Sequence, residues 1–398
     1  METKVESTPQ VMVLDGNRAA AYGAMLCHPD VIALYPITPS TQVVETLWDF
    51  RAKGMLDAEM IQPESEHAVM GVLRGASAAG ARTFTVTASQ GLAFMFENCF
   101  TVASNRLPIV MVDACRELEA PHSIARGQQD AMATRESGWI QIHVESCQEI
   151  LDSIIMAFRL AEDPQIRIPV MVCYDGYYLS HLWQPVEIPD QEKVNQFLPP
   201  LEMSPRIATE TRMAFCNISL SHLATEYRYK QTAATMRAKS KIEEIEVEFQ
   251  QLFGRSYGGQ VEEYRTEDAD IVLLALGSCA STAKVAVDEK RSDGLKVGLV
   301  RVRMFRPFPR ERLADALRGK KAIGVIDGNV CFGWGCGALF VDSKAVLFDL
   351  ATNIPMVNFI CGLFSSDVTI EHLKKAIDVT NLVAQGGAYQ EVTWPDLE

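Results

Sequence analysis

Nowhere do two cysteines of this chain form a C-x-x-C pair, although ten are present. The nearest two, Cys331 and Cys336, have no histidine or further cysteine at metal-ligand spacing. Neither an iron–sulfur cluster nor a structural zinc is therefore expected in this chain, and no residue is assigned to a metal. Cys27, Cys115, Cys173 and Cys279 lie within strand-like or helix-like runs. They read as buried free thiols of a reducing, cytoplasmic compartment. No apolar stretch approaches the ~20 residues needed to span a bilayer. The opening METKVESTPQ lacks the basic-then-apolar pattern of a secretory leader. Positive charge is short as well: 37 Lys+Arg against 51 Asp+Glu give a formal net charge of -14. Without a basic run to reverse that balance, nucleic acid is not an expected partner. P-loop, H-E-x-x-H and G-x-S-x-G signatures are missing. Gly333-Trp334-Gly335-Cys336-Gly337 is not a dinucleotide fingerprint; it reads as a tight turn, with a contact loop for a partner as the alternative.

What remains is an ordinary globular balance. The 398 residues are enough for two domains. Apolar residues at 48% and charged residues at 22% argue against disorder and against a solenoid. From Gly16 to about Gly176, helix-like and strand-like segments alternate with short joints. Asn17 to Cys27 reads as a helix, Val31 to Ile37 as a buried strand, and a second helix begins at Ser40, a capping residue type, and ends near Gly54. EMIQPE reads as a short strand. The helix from Ser65 to Gly80 carries Val69, Val72, Leu73 and Ala76 at helical spacing, and Gly71 and Gly75 leave room for a close neighbour. TFTVTAS, PIVMVDA, WIQIHVES and PVMVCYDG continue the alternation. Such a pattern predicts an α/β fold with a parallel sheet covered by helices on both faces. The expected domains are 1–200, a linker at 201–262 with an amphipathic helix from Thr232 to Phe253, and a smaller α/β domain at 263–398. In that last domain IVLLALGS, VGLVRVRMF, AIGVIDG and IPMVNFI read as strands.

Four strand-to-helix joints carry polar residues. Tyr35-Pro36-Ile37-Thr38-Pro39 is stiffened by two prolines and presents Thr38 at the carboxyl end of a strand, where open α/β sheets bind ligands. Pro63-Glu64-Ser65-Glu66-His67 puts two acids at a helix start, where the macrodipole alone explains one of them. Thr87-Ala88-Ser89-Gln90-Gly91 is the third joint. Ala114-Cys115-Arg116 is the fourth, with an arginine that emerges from a buried strand and needs an anionic partner.

YPITPST, ESEHAVMGVLRGASAAGARTFTVTASQGL, RLPIVMVDACR and GQQDAMATRESGWIQIHVES together resemble the α subunit of 2-oxoacid:ferredoxin oxidoreductases. RVRMFRPFP and AIGVIDGN extend the likeness over nearly the whole chain. The resemblance implies a pyrimidine-binding thiamine diphosphate domain followed by a transketolase C-terminal-like domain. It implies oxidative decarboxylation of a 2-oxo acid to an acyl-coenzyme A, with electrons passed to [4Fe-4S] clusters in partner subunits. A β-type partner would hold the diphosphate and Mg²⁺, and coenzyme A would be held mainly by another subunit. A γ-type and a ferredoxin-like subunit, and a dimer of such assemblies, complete the picture. The residues agree with this division: Asp15-Gly16-Asn17, Asp175-Gly176 and Asp327-Gly328-Asn329 each lack the rest of a G-D-G…N diphosphate motif.

By the same resemblance Glu66, rather than Glu64, bonds the cofactor pyrimidine. Arg116 binds the substrate carboxylate, Thr38 donates to substrate oxygen, and Ile124 touches the substrate side group. Pro36, Ile37, Ser89, Gln90 and Gly91 line the cofactor pocket. The run Ile124-Ala125-Arg126-Gly127-Gln128 departs from pyruvate-using relatives, which carry an aromatic residue and a Gly-Asp after the isoleucine. Ala125 then leaves space for bulkier acids, aryl ones such as phenylglyoxylate included, unless Arg126 swings in to refill it. Two rival readings are a self-sufficient transketolase-like homodimer and a scaffold of the same fold without catalysis.

Overall fold

The protein is described here by a computed structural model that covers residues 10–118, 121–210, 213–349, 353–364 and 366–397. Two sheets form its centre. The larger has seven strands in the order Met304–Arg306, Ile140–His143, Val170–Asp175, Ile109–Cys115, Thr83–Thr87, Val31–Ala33, Glu59–Ile61. All are parallel except the first. Its middle strands are buried along their whole length, and their runs of Val, Ile and Met read accordingly as continuous rather than alternating. The smaller sheet runs Val392–Thr393, Met356–Ile360, Ala322–Asp327, Ile271–Ala275, Val297–Val302, Val261–Tyr264, with only the last strand antiparallel. Gln10–Leu14 and Gln184–Ile188 make a separate two-stranded ribbon.

Helices cover both faces. Gly16–Leu26 packs on Cys147–Ala161, and the contact is close because of a glycine: a Cβ on Gly23 would stand 2.9 Å from the Leu151 carbonyl oxygen. Among the described residues nothing takes up the room expected at Gly71 and Gly75: no atom lies within 4 Å of where a Cβ would stand at either. The long helix is Ser221–Phe253, eleven residues longer at its start than its apolar pattern predicts. Ile242, Ile245 and Phe249 are buried as expected, with Leu252 at the margin, whereas residues 221–230 are exposed throughout. An extension without an apolar face gives no periodic signal to read.

Two strands differ from expectation. Val31 to Ile37 is a strand only to Ala33, because the prolines that follow cannot continue a ladder. VGLVRVRMF is not one strand: it serves the smaller sheet to Val302, and Met304–Arg306 then joins the edge of the larger one. A strand from the C-terminal part thus completes the N-terminal sheet. Arg301 and Arg303 flank the crossing, and both are fully buried. Glu149 receives Arg301 Nη1 on Oε2 and Arg303 Nε on Oε1, each at 2.7 Å. Arg303 Nη2 also donates to Ser153 Oγ at 2.8 Å, and Arg301 Nε donates to Glu262 at 2.6 Å.

All ten cysteines are free thiols, eight of them buried; Cys216 is exposed and Cys331 half-buried. Cys331 and Cys336 pair across a tight turn that carries Phe332 and Trp334 outward. Among the described residues no helix is long and apolar enough to cross a membrane.

Candidate active site at the strand ends

The four polar joints leave adjacent strands of the larger sheet, all at the carboxyl edge. Glu66 opens the helix Glu66–Ala79 that follows Glu59–Ile61. Ser65 caps that helix, its hydroxyl accepting from Ala68 N–H at 3.3 Å, so neither acid is needed as a cap. Glu64 is exposed, while Glu66 is 8% exposed. Residues 89–91 start the next helix after Thr83–Thr87. Gly91 lies against the acid: a Cβ there would fall 2.7 Å from Glu66 Oε1 and 2.6 Å from Thr87 Oγ1. The Thr87 hydroxyl is itself buried with no hydrogen-bond partner among the described residues.

Arg116 follows the strand Ile109–Cys115 and is 3% exposed. Its guanidinium donates from Nη2 to Gln90 Oε1 and from Nη1 to the Ser123 carbonyl, both at 2.8 Å. The Arg116 backbone is held as well: Asp130 Oδ2 accepts its N–H at 2.9 Å. Consecutive residues Gln90 and Gly91 therefore touch Arg116 on one side and Glu66 on the other. Ile124 is 44% exposed and follows directly on Ser123, the guanidinium's carbonyl partner.

Thr38 is exposed, and Ser40 stands at the expected helix start. The Ser40 hydroxyl does not cap; it donates back to the Ile37 carbonyl at 2.9 Å and tightens the Pro-flanked turn. Asn17 holds the same turn from beneath by donating to the Pro39 carbonyl at 2.7 Å, and Tyr174 donates to Asn17 in turn. Pro39 also rests on Gly176, which in turn abuts the carbonyls of Ala114 and Cys115. Thr38 is thus linked to the Arg116 joint through backbone packing. Pro36 is exposed and Ile37 packs against the core. Arg126 turns away from Ile124 into the junction between the sheets, 3.5 Å from Asp175 and beside Gly362.

Sequence reasoning missed three acids beneath these joints. Asp113 lies within the buried strand, and burial and the charge of Asp130 push its carboxyl well above the usual carboxylate range. Asp130 is pushed up to about 6 by burial, against backbone N–H donors that favour its charge. Glu117 is pushed up to about 8 by burial and by Asp130. The only signal available was an aspartate inside the otherwise apolar PIVMVDA. Asp113, Cys115 and Cys173 bring potential ligand atoms within 4.8 Å of one another. Burial keeps both thiols protonated, and Cys115 Sγ donates to Asp113 Oδ2 at 3.2 Å.

The three Asp-Gly steps are committed to the fold. Asp15 caps the first helix by accepting from Arg18 N–H at 2.8 Å. Asp175 accepts from Ser278, and Asp327 from the Leu339 and Phe340 N–H groups.

Residues 22–247 match the family model described as the thiamine-diphosphate-binding part of pyruvate flavodoxin/ferredoxin oxidoreductase, and residues 269–373 match core domain II of pyruvate:ferredoxin oxidoreductase. The chain belongs to the 2-oxoacid:ferredoxin oxidoreductases, as their α subunit. It is 41% identical over 400 residues to the α subunit of NADH-dependent phenylglyoxylate dehydrogenase of Aromatoleum evansii, covering 98% of this chain and 96% of that one. Pyruvate synthase subunit PorA of Methanocaldococcus jannaschii is 44% identical over 94% of this chain and 96% of its own. Ketoisovalerate oxidoreductase subunit VorA of Pyrococcus abyssi is 40% identical over 99% and 100%. Among solved structures, the 2-oxoglutarate:ferredoxin oxidoreductase of Magnetococcus marinus matches with a TM-score of 0.71 and 20% identity. That match covers 94% of this chain and 66% of the other, and it shows the shared fold. A 2-oxoacid:ferredoxin oxidoreductase α subunit works within a multi-subunit assembly.

Proposed function

We propose that this α subunit contributes Glu66, Arg116 and Thr38 to an active site completed by a β-type partner, in an enzyme that converts a 2-oxo acid and coenzyme A to an acyl-coenzyme A and CO₂. Two electrons leave to [4Fe-4S] clusters of a ferredoxin-like partner, and a γ-type subunit completes the protomer of a dimeric, cytoplasmic assembly. The observation that carries the reading is the pair of contacts made by Gln90 and Gly91, which hold a carboxylate-binding cation and a shielded acid on opposite sides of one turn.

The donor set fits thiamine diphosphate. Glu66 would hold the pyrimidine N1′ through a charge-assisted bond, with Pro36, Ile37, Ser89, Gln90 and Gly91 around the ring, and Gly91 supplies the gap a side chain would fill. When bound, the cofactor supplies the carbon nucleophile for the 2-oxo carbon and the sink for the electrons released with CO₂. Arg116 would receive the substrate carboxylate; Gln90 and Ser123 hold its guanidinium plane in place. Thr38 would donate to substrate oxygen from the stiff turn fixed by Asn17. The diphosphate and Mg²⁺ are assigned to the β-type partner, because the Asp-Gly steps of this chain serve its own helices and loops. The residues up to about 200 would form the pyrimidine side and 263–398 the transketolase C-terminal-like part, with 201–262 joining them.

Substrate choice falls to the loop at Ile124. Drawn toward Asp175, Arg126 does not refill the space beside Ala125. This supports acceptance of acids bulkier than pyruvate, aryl or branched. The test is reconstitution. The chain alone should be colourless and inactive, and activity should appear with the partner subunits and extend to phenylglyoxylate or branched 2-oxo acids. Iron–sulfur absorbance in the isolated chain would contradict the assignment of clusters, and a strict preference for pyruvate would contradict the open pocket.

A further inference from the structure

Asp130 stands in the short helix Gln129–Thr134, outside every joint assigned to the site, and is 1% exposed. One of its oxygens, Oδ2, accepts two backbone N–H groups from different joints: Ser89 at 2.8 Å and Arg116 at 2.9 Å. Its other oxygen accepts the N–H of Ala131 at 2.8 Å, which fixes the carboxylate plane. Ser89 needs such an anchor, because its φ of 45° lies in the left-handed region that side chains other than glycine rarely adopt. The Ser89 hydroxyl adds a tie to the same neighbourhood by donating to the Glu117 carbonyl at 2.6 Å. A carboxylate that accepts three N–H groups in a dry site is a strong and directional fastening.

We infer that Asp130 is a positioning residue for the reaction: by gripping the Ser89 and Arg116 backbones with one oxygen, it sets the distance between the turn that shields Glu66 and the arginine that receives the substrate carboxylate. The inference rests on the reading of Arg116 given above. Asp130 touches neither substrate nor cofactor. Its influence reaches substrate through Arg116, whose guanidinium is held to the same turn by Gln90. The Ser89 hydroxyl bond to the Glu117 carbonyl still ties the turn to the residue after Arg116 when Asp130 is lost. The two joints therefore stay together while the Arg116 N–H loses its acceptor, and the effect falls on substrate binding more than on turnover.

The test compares Asp130→Ala, Asp130→Asn and Arg116→Lys in the assembled complex, with KM and kcat for the preferred 2-oxo acid measured separately. Asparagine keeps an acceptor oxygen and loses the charge; alanine removes the acceptors. KM should rise about tenfold in Asp130→Ala and about threefold in Asp130→Asn, with kcat changed less than about threefold in either. The Asp130→Asn, Arg116→Lys pair should raise KM by less than the product of the single effects, because both act on one contact. If Arg116→Lys leaves KM unchanged, the reading of Arg116 fails. If Arg116→Lys raises KM while the Asp130 variants do not, the reading stands and the inference is overturned. A loss confined to kcat also overturns it. Should Asp130→Ala fail to assemble, Asp130→Asn decides alone by the same criterion.

Discussion

Glu149 and Asp130 are both carboxylates removed from water, both bonded to groups near an arginine, and they behave in opposite ways. Burial pushes both up. At Glu149 the charges of Arg301 and Arg303, each bonded directly to it, outweigh burial and hold the carboxyl below its usual range. At Asp130 burial outweighs the backbone N–H groups and the nearby charge of Arg116, so the carboxyl stays raised, at about 6. The consequences for pH differ in sign. Stability from Glu149 is present above the ordinary carboxyl range and is lost as pH falls through its depressed value. The acids at the site favour the fold while protonated, so their contribution is lost as pH rises through about 6 for Asp130 and about 8 for Glu117. One acid is bonded directly by two guanidinium groups; the other accepts backbone N–H groups.

The sharpest way to break this comparison is at the joint. Glu149→Gln removes the anion that Arg301 and Arg303 share. Among the described acids it leaves Arg301 with Glu262 and the more distant Glu145, and Arg303 with only the more distant Glu246. The thermal midpoint should reflect a loss of about 3–5 kcal/mol. A stability change within measurement error would mean that these remaining partners satisfy the two arginines. At the site, Gly91→Ala should leave folding nearly intact but push on Glu66 and Thr87, and turnover should drop roughly tenfold, about 1.4 kcal/mol. Normal turnover would show that the turn yields without disturbing the acid. The smallest effect is electrostatic. Glu117→Gln mimics the protonated form, so between pH 7 and 9 the variant should lose on the order of 1 kcal/mol less stability than the parent. Parallel curves would mean that Glu117 is not raised as described.

The sequence made the site more legible than the joint, for a physical reason. Thr38, Glu66, Gln90 and Arg116 each sit just beyond the carboxyl end of a strand, and the prolines, small residues and apolar runs that mark such points are local. Asp130 could not be read that way, because an aspartate on a short polar helix looks like any solvated face until the chain folds it beneath Ser89 and Arg116. The same holds for the crossing at Arg303. VGLVRVRMF has the composition of one strand, and only the partner Glu149, some 150 residues earlier in an apolar helix, explains why two arginines sit inside it. A buried acid in one apolar segment and paired arginines in another are a signal, but one that pairs up only in three dimensions. The exposed first ten residues of the long helix gave no apolar period at all.

Glu66, not its neighbour Glu64, is the acid we propose this subunit brings to the cofactor. Glu66→Gln and Glu64→Gln, each in the assembled complex with the 2-oxo acid saturating, test it directly. Glu66→Gln keeps the shape and removes the charge, and kcat should fall at least ~10²-fold with the thermal midpoint unchanged. Glu64→Gln, at an exposed position outside the capped helix, should stay within about twofold of the parent. A large loss in Glu64→Gln beside a normal Glu66→Gln would contradict the account.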